Sequence, residues 1–322
     1  MPKVSVVIPN YNHARFLRQR IDSVLQQTVQ DFELILLDDC STDDSRSILS
    51  SYAGDPRVRI ELNDANSGST FKQWNKGVRL ARGEYVWIAE SDDYAAPRFL
   101  ERLVAVLNSD PKVAFAYCRS WRISSEDRIE GFTDPHLVKI DPRRWTEGFV
   151  ADGHEECRNY FVRTNPVPNA SAVVFRRTLY GQVGGADESL RLCGDWKLWA
   201  SMALTGKVAY LGEPLNYFRF HATSLRSKSE QMKLDAVEYL KVIRWLLNRV
   251  TPPKGILENL YEFTSNMWVP FVMSASVPLN LKRAIIRDAR AIDSHAIRRA
   301  VRPGLATIRR KFARHFRFGR CL

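Results

Sequence analysis

Two acidic segments far apart in the chain carry residue types that could do chemistry together. Glu90–Asp93 (ESDD) follows an apolar run, and Gly194–Trp196 (GDW) stands where a helix should begin. A carboxylate in the first segment could hold a divalent cation on a diphosphate. A carboxylate in the second could take the proton of an attacking hydroxyl group. Together the two segments supply what transfer of a sugar from a nucleotide donor requires, provided that the fold brings both to one cleft, and neither segment is convincing alone.

The elements that must position these segments alternate between strand and helix signals. Apolar, β-branched runs predict strands at 4–8, 32–37, 85–89 and 113–118. Helical spacing lies between them, which predicts an α/β fold with a mostly parallel sheet flanked by helices. Ligand sites of such sheets lie at the carboxyl ends of the strands. Pro9–Asn12, Asp38–Asp39 and Glu90–Asp93 each follow a strand, so we expect them at one edge.

Other parts of the chain give weaker signals. Ser41 with Asp44 forms a capping-box signature, which predicts a helix from there toward Tyr52. Residues 120–170 have many Gly, Pro and charged residues without a sustained period, and we interpret them as a flexible acceptor-side loop region. From Glu230 onward the spacing is helical.

Composition bounds the class of protein and its compartment. The chain has 322 residues, of which 45% are hydrophobic, so it can bury a full core. Its five cysteines form no CxxC pair, which argues against a disulfide framework or a zinc knuckle. The N-terminus lacks the pattern of a secretory signal, and the uncharged stretch 263–281 is short and interrupted by Pro270 and Pro278. We therefore expect a cytoplasmic protein.

The net charge of +12 is concentrated at the C-terminus. Residues 281–322 contain 13 Lys and Arg against two Asp, a balance of +11. Within this tail an apolar stripe at helical spacing alternates with arginines and comprises Leu305, Ile308, Phe312 and Phe316. This pattern favours an anionic membrane surface over nucleic acid, and a solvated end is the remaining alternative. We predict a peripheral position on the inner face of the cell membrane, with no nucleic-acid partner.

Several segments together resemble a known family. VSVVIPNYN, LLDDCSTDDS, NSGSTFKQWNKG, ARGEYVWIAESDD and CGDWKLW followed by NYFRFH resemble, in this order and spacing, the family 2 glycosyltransferases of the GT-A fold. The resemblance covers residues 3–225. It implies a GT-A-like domain over 1–225, and the helical spacing of the remaining residues predicts a helical C-terminal region over 226–322. Processive members carry Gln-x-x-Arg-Trp and membrane spans. The segment KVIRW at 241–245 has the Arg-Trp but not the Gln, and no clear span accompanies it, so addition of a single sugar is favoured over polymerisation.

The resemblance assigns a nucleotide-binding set. Pro9 and Tyr11 would border the base, preferably uracil, on which the Tyr11 ring could stack; an ordinary strand-to-helix turn is the alternative. Asp39 would accept hydrogen bonds from base or ribose, unless Asp38 and Asp39 form a solvated turn. Asn66 and Gly68 match the family's Asn-x-Gly. Lys72 would take the place of the family's arginine and neutralise phosphate. Glu90 and Ser91 complete the set.

The resemblance also assigns metal and base. Asp92 would bind Mg²⁺ or Mn²⁺ on the donor diphosphate, and His221 would be a further metal contact. Asp195 would be the general base of an inverting transfer to a hydroxyl of a glycan or a lipid-linked acceptor. Aspartate in a first helical turn is also favoured by the helix dipole alone. Glycine stands at 194 where the family has glutamate.

Two other functions compete with this interpretation. Glu90 and Gly194 depart from the family pattern, so a non-catalytic nucleotide-sugar-binding protein docked to a membrane glycan-assembly complex is the alternative. Sugar-nucleotide synthesis would require a Gly-rich basic loop after the first strand, and PNYNHARF is not such a loop.

Overall fold

The computed structural model describes residues 1–221, 231–275 and 277–299. The chain divides into two compact units, residues 1–228 and residues 229–322. The basic tail with Leu305, Ile308, Phe312 and Phe316 lies outside the described residues.

The described part of the first unit is a sheet covered by helices. Its strands are β1 (Val4–Asn10), β2 (Phe32–Asp38), β3 (Val58–Leu62), β4 (Tyr85–Ile88), β5 (Tyr94–Ala95), β6 (Val113–Ile123), β7 (Ile129–Phe132), β8 (Phe149–Asp152), β9 (Val173–Arg176) and β10 (Lys207–Arg219). Its α-helices are α1 (Ala14–Leu25), α2 (Ser45–Ser50), α3 (Thr70–Leu80), α4 (Phe99–Ser109), α5 (Pro135–Ile140), α6 (Gly153–Glu156), α7 (Arg177–Gln182) and α8 (Gly194–Ala203).

The sheet is mixed in direction. Its strand order is β3-β2-β1-β4-β9-β6-β10-β5, with β7 beside β6 and β8 beside β10. β1 to β4 pair in parallel, whereas β9 runs antiparallel to both β4 and β6. The expectation of a mostly parallel sheet therefore holds for β1 to β4 and for the pair of β6 with β10, whereas the other pairs are antiparallel. Hydrophobic runs identify strands but not their direction, and the polar composition of 120–170 conceals β7 and β8.

The central strands are buried on both faces. Every residue of β1, β2 and β4 is buried, because helices cover the sheet above and below. Trp87 of β4 stacks on Phe99 of α4 at 4.4 Å between ring centroids. The three strands therefore form a rigid base for the turns that follow them.

The capping box predicted at Ser41 does not form. α2 begins only at Ser45, and Asp43 accepts the Ser45 amide hydrogen at 3.0 Å. The Ser41 hydroxyl instead accepts the Asn12 amide hydrogen at 2.9 Å in the turn after β1. A tertiary contact has thus replaced the local one, since Ser41 binds the neighbouring turn rather than its own helix.

The second unit is helical in its described residues. It contains α9 (Gln231–Leu247), α10 (Lys254–Met273) and α11 (Leu279–Ile292). The buried Asp288 of α11 pairs with Arg244 of α9 at 2.8 Å. Within the described ranges, none of the helices has both the length and the hydropathy that a membrane span requires.

Candidate active site

The turn after β4 contributes Asp92 to a cluster of potential metal ligands. Asp92 Oδ2 contacts His221 Nε2 at 2.9 Å, and Ser91 Oγ contacts His13 Nδ1 at 2.8 Å. Ligand atoms of His13, Asp92 and His221 all lie within 4.8 Å of one another. His13 was not among the residues predicted from the sequence. It precedes α1 at the end of β1, and β1 pairs with β4, so the shared sheet edge brings it to Asp92.

The carboxylates of this turn have unequal affinities for protons. The pKa of Glu90 is raised to about 8, mainly by burial and secondly by the negative charge of Asp92. The pKa of Asp93 is raised to about 7 by the same two causes, burial first and the charge of Asp92 second. Burial also acts to raise the pKa of Asp92, but the hydrogen bond with His221 and the charges of both histidines bring it below its ordinary value. Asp92 is therefore the carboxylate best suited to remain ionised and to hold a cation.

Two buried arginines hold the acidic turn in place. Arg20 of α1 is fully buried and donates from Nε to the Glu90 carbonyl oxygen at 2.8 Å. Arg219, at the end of β10, donates its amide hydrogen to Asp93 Oδ1 at 2.9 Å and its Nε hydrogen to the Asp92 carbonyl oxygen at 2.7 Å. The turn is thus fixed from both sides before any ligand arrives.

Asp39 organises the loop that carries Asn66 and Gly68. Its Oδ1 accepts hydrogen bonds from the Asn63 and Gln73 side chains and from the Ser67 amide, at 2.7 to 2.9 Å. Its Oδ2 accepts one from the Ser67 hydroxyl at 2.8 Å. Three bonds saturate Oδ1, whereas Oδ2 retains capacity for another donor.

The remaining nucleotide-binding candidates border the same edge. Asn66 donates to the Asp39 carbonyl oxygen at 2.9 Å, and Gly68 adopts a positive φ of 69° that favours glycine. The exposed Lys72 donates to the Ser67 carbonyl oxygen at 3.4 Å. Pro9 is buried in β1, whereas Tyr11 is 46% exposed. Tyr11 is therefore accessible to a planar ligand.

Asp195 lies in the first turn of α8. Its Oδ2 accepts a hydrogen bond from the Asn165 side chain at 3.0 Å, and its Oδ1 accepts the Trp196 amide hydrogen at 2.7 Å. Asp195 does not belong to the Asp92 cluster itself. The two are linked through α3, since Phe71 packs against Gly194 and Trp74 contacts Glu90.

Gly194 has a steric explanation. A Cβ at this position would lie 2.4 Å from the Phe71 ring, which is itself buried. The glutamate that the family carries at this position therefore cannot fit without displacing Phe71. The absence of that glutamate follows from the packing between α3 and α8.

We expect Gly194→Ala to lower the free energy of unfolding by about 1–3 kcal/mol, because the added methyl overpacks the contact with Phe71. Urea unfolding followed by circular dichroism measures this change. Gly181→Ala is the matched control, since no heavy atom lies within 4 Å of its would-be Cβ. An unchanged stability of Gly194→Ala would contradict the steric explanation.

Comparison with known proteins identifies the family. The model of glycosyl transferase family 2 matches residues 5–180, which is more than half of the chain. The chain belongs to this family. Among family relatives, an uncharacterized glycosyltransferase of Nostoc sp. is 30% identical over 69% of the chain and 66% of its own length. An uncharacterized glycosyltransferase of Rickettsia typhi is 27% identical over 84% of the chain and 80% of its own length.

Two solved structures, one of them of a mannosyltransferase, share the fold. S. aureus TarS 1-349 in complex with UDP-GlcNAc superposes with a TM-score of 0.66 at 17% identity, over 93% of this chain and 88% of that chain. A mannosyltransferase of Pyrobaculum calidifontis in complex with GDP-Man and Mn²⁺ gives a TM-score of 0.58 at 18% identity, over 97% and 80%. These similarities confirm the predicted GT-A-like α/β fold. Because the chain belongs to glycosyl transferase family 2, it is a glycosyltransferase.

Proposed function

We propose that this protein is an inverting, non-processive hexosyltransferase that uses a nucleotide diphosphate sugar, with a UDP-sugar as first choice. The observation that carries the proposal is the His13–Asp92–His221 cluster, which lies at the same sheet edge as Asp39 in a family 2 chain. The acceptor is a hydroxyl group of a glycan or of a lipid-linked glycan. The UDP-GlcNAc and GDP-Man complexes of the structural neighbours support a nucleotide-sugar donor.

Inversion requires a single in-line displacement at the anomeric carbon. The acceptor oxygen forms a bond to that carbon while the bond to the donor's β-phosphate oxygen breaks. Asp195 takes the hydroxyl proton on the side opposite the diphosphate. The nucleoside diphosphate leaves with the bonding electrons, so the products are the glycoside and the diphosphate.

The residues of the metal cluster fit a divalent cation. Asp92, His13 and His221 offer one carboxylate oxygen and two imidazole nitrogens within 4.8 Å of one another. Mg²⁺ prefers oxygen ligands, whereas imidazole nitrogen suits transition metals, so this donor set favours Mn²⁺. When bound, the cation neutralises the charge that develops on the leaving diphosphate.

The donor nucleotide would lie across the ends of β1 and β2. The Tyr11 ring stacks on the base in this proposal, and Asp39 uses the remaining capacity of Oδ2 for a ribose or base donor. Pro9, Asn66 and Gly68 shape the backbone around the nucleotide. Lys72 supplies a positive charge toward the phosphates. Glu90 and Ser91 border the ribose.

We further propose that the protein is cytoplasmic and peripheral on the inner face of the membrane, where a lipid-linked acceptor would be presented. The net charge of +11 over residues 281–322 supports attraction to anionic lipids. Residues 1–225 form the transferase domain in this proposal, and residues 226–322 serve attachment.

A donor panel tests the proposed function. With Mn²⁺ present, the correct nucleotide sugar at 100 times its dissociation constant should stabilise the fold by about 2.7 kcal/mol, or about 4–6 °C in melting temperature. The same donor should slowly release its nucleoside diphosphate to water. A thermal shift without any release would favour the non-catalytic binding protein, and the absence of both would refute nucleotide-sugar binding.

A further inference from the structure

Trp74 makes one directional contact with the acidic turn. It lies on α3 with 2% of its surface exposed, and its indole Nε1 donates a hydrogen bond to Glu90 Oε1 at 2.7 Å. Its ring packs edge-on against Phe71 at 5.1 Å and tilted against Trp199 of α8 at 6.2 Å. The packed ring gives the N–H group a fixed direction, so the carboxylate that it binds is also fixed.

The side chains of the Glu90–Asp92 turn diverge toward different partners. Ser91 contacts His13 and Asp92 contacts His221, whereas Glu90 turns to α3 and Trp74. Glu90 is thus not part of the metal cluster. A glutamate has one more rotatable bond than an aspartate, so it loses more conformational entropy when it is held in one position. The indole hydrogen bond supplies that restraint.

The same helix contacts two acidic residues of the site and the neighbour of a third. Gln73 donates to Asp39 at 2.9 Å, Trp74 donates to Glu90, and Phe71 packs on Gly194 beside Asp195. Phe71 and Trp74 are three residues apart, which places them on one face of the helix. α3 therefore connects the nucleotide side, the metal turn and the helix of the proposed base.

We propose that Trp74 is a positioning residue that holds the Glu90 carboxylate in place for a hydroxyl group of the bound donor. The inference rests on the proposed function, because it requires a sugar-nucleotide ligand beside Glu90. Trp74 does not touch the reacting atoms and acts through Glu90. The indole N–H group can only donate, so it fixes the Glu90 oxygen that it contacts as an acceptor.

A double-mutant cycle tests this role. Trp74→Phe keeps a packed ring but removes the N–H group, and Glu90→Ala removes its acceptor. We expect each single variant to raise the donor KM about tenfold with a smaller change in kcat. The double variant should be no worse than Glu90→Ala alone, because the two residues act as one unit. A double variant whose donor KM rises by the product of the two single effects would overturn the proposal. A Trp74→Phe variant with wild-type kinetics would also overturn it.

Trp268→Phe is the matched control. Trp268 of α10 is also a buried indole, its Nε1 has no hydrogen-bond partner among the described residues, and it belongs to the second unit. We expect its donor KM to remain that of the wild type. A tenfold rise in Trp268→Phe as well would overturn the role of the Trp74 N–H group.

An NMR measurement tests the contact independently of turnover. The Trp74 indole proton should be protected from exchange in the wild-type protein, and Glu90→Ala should shift its resonance and accelerate its exchange by about tenfold or more. An unaffected resonance would exclude the hydrogen bond. If wild-type protein neither binds nor consumes any nucleotide sugar, the proposed function fails. If the donor is consumed and the cycle is additive, only the role of Trp74 fails.

Discussion

Asp195→Asn should reduce the rate of sugar transfer by about 10³-fold, within the range that general base catalysis contributes. Asparagine has almost the same shape, and its one carbonyl oxygen can keep the hydrogen bond from Asn165 or the one from the Trp196 amide, so the fold should persist at a modest cost in stability. An amide cannot take up the acceptor proton at neutral pH. The loss should therefore appear in kcat, while calorimetry should give nearly the wild-type affinity for the donor.

The matched control for this variant is Asp187→Asn. Asp187 lies in the segment before α8 and pairs with Lys197 of that helix at 2.6 Å. Partly exposed ion pairs of this kind contribute about 1 kcal/mol or less to stability, so turnover should stay within about twofold of the wild type. Turnover by Asp195→Asn at the wild-type rate would remove Asp195 from the role of base.

Asp92→Asn should weaken the binding of the donor in the presence of Mn²⁺ by at least about 100-fold. This loss corresponds to about 2.8 kcal/mol, as expected when a cation loses an ionised ligand in a half-buried site. Removal of the metal from wild-type protein by a chelator should have a comparable effect. Isothermal titration calorimetry with and without Mn²⁺ measures both.

Substitution of the histidines separates a metal site from a hydrogen-bonded cluster. His13→Ala and His221→Ala should each raise the Mn²⁺ concentration required for half-maximal donor binding, by about tenfold. His154→Ala is the control, because this exposed residue lies on α6, away from the acidic turn. Equal donor affinity with and without Mn²⁺ in wild-type protein would refute the metal role of Asp92.

The positions of the acidic turns could be predicted from the sequence because each follows an uninterrupted apolar run. β1, β2 and β4 are buried on both faces, so their sequences show where they end, and Asp39 and Asp92 follow those ends. Parallel pairing then places both at one edge of the sheet. This argument uses only local hydrophobicity and one general rule of topology.

The partners of these acids could not be predicted in the same way. His13 lies in a polar turn whose sequence gives no sign that it faces Asp92, since this depends on the pairing of β1 with β4. Trp74 reads as a helix core position, and its polar contact with Glu90 depends on how α3 packs. The strand β9 was not among the predicted strands, and its antiparallel direction depends on pairing across the sheet, which is a tertiary property.

The closure of the site by β10 has a consequence for biosynthesis. Arg219, which holds the acidic turn, also donates to Gln19 across 200 residues of sequence, and His221 reaches Asp92 across 129. Contacts of such separation form late, because the intervening chain must first be ordered. A nascent chain emerging from the ribosome would complete its first α/β layers without this closure. The contact between His221 and Asp92 therefore forms only after the chain has been synthesised as far as residue 221.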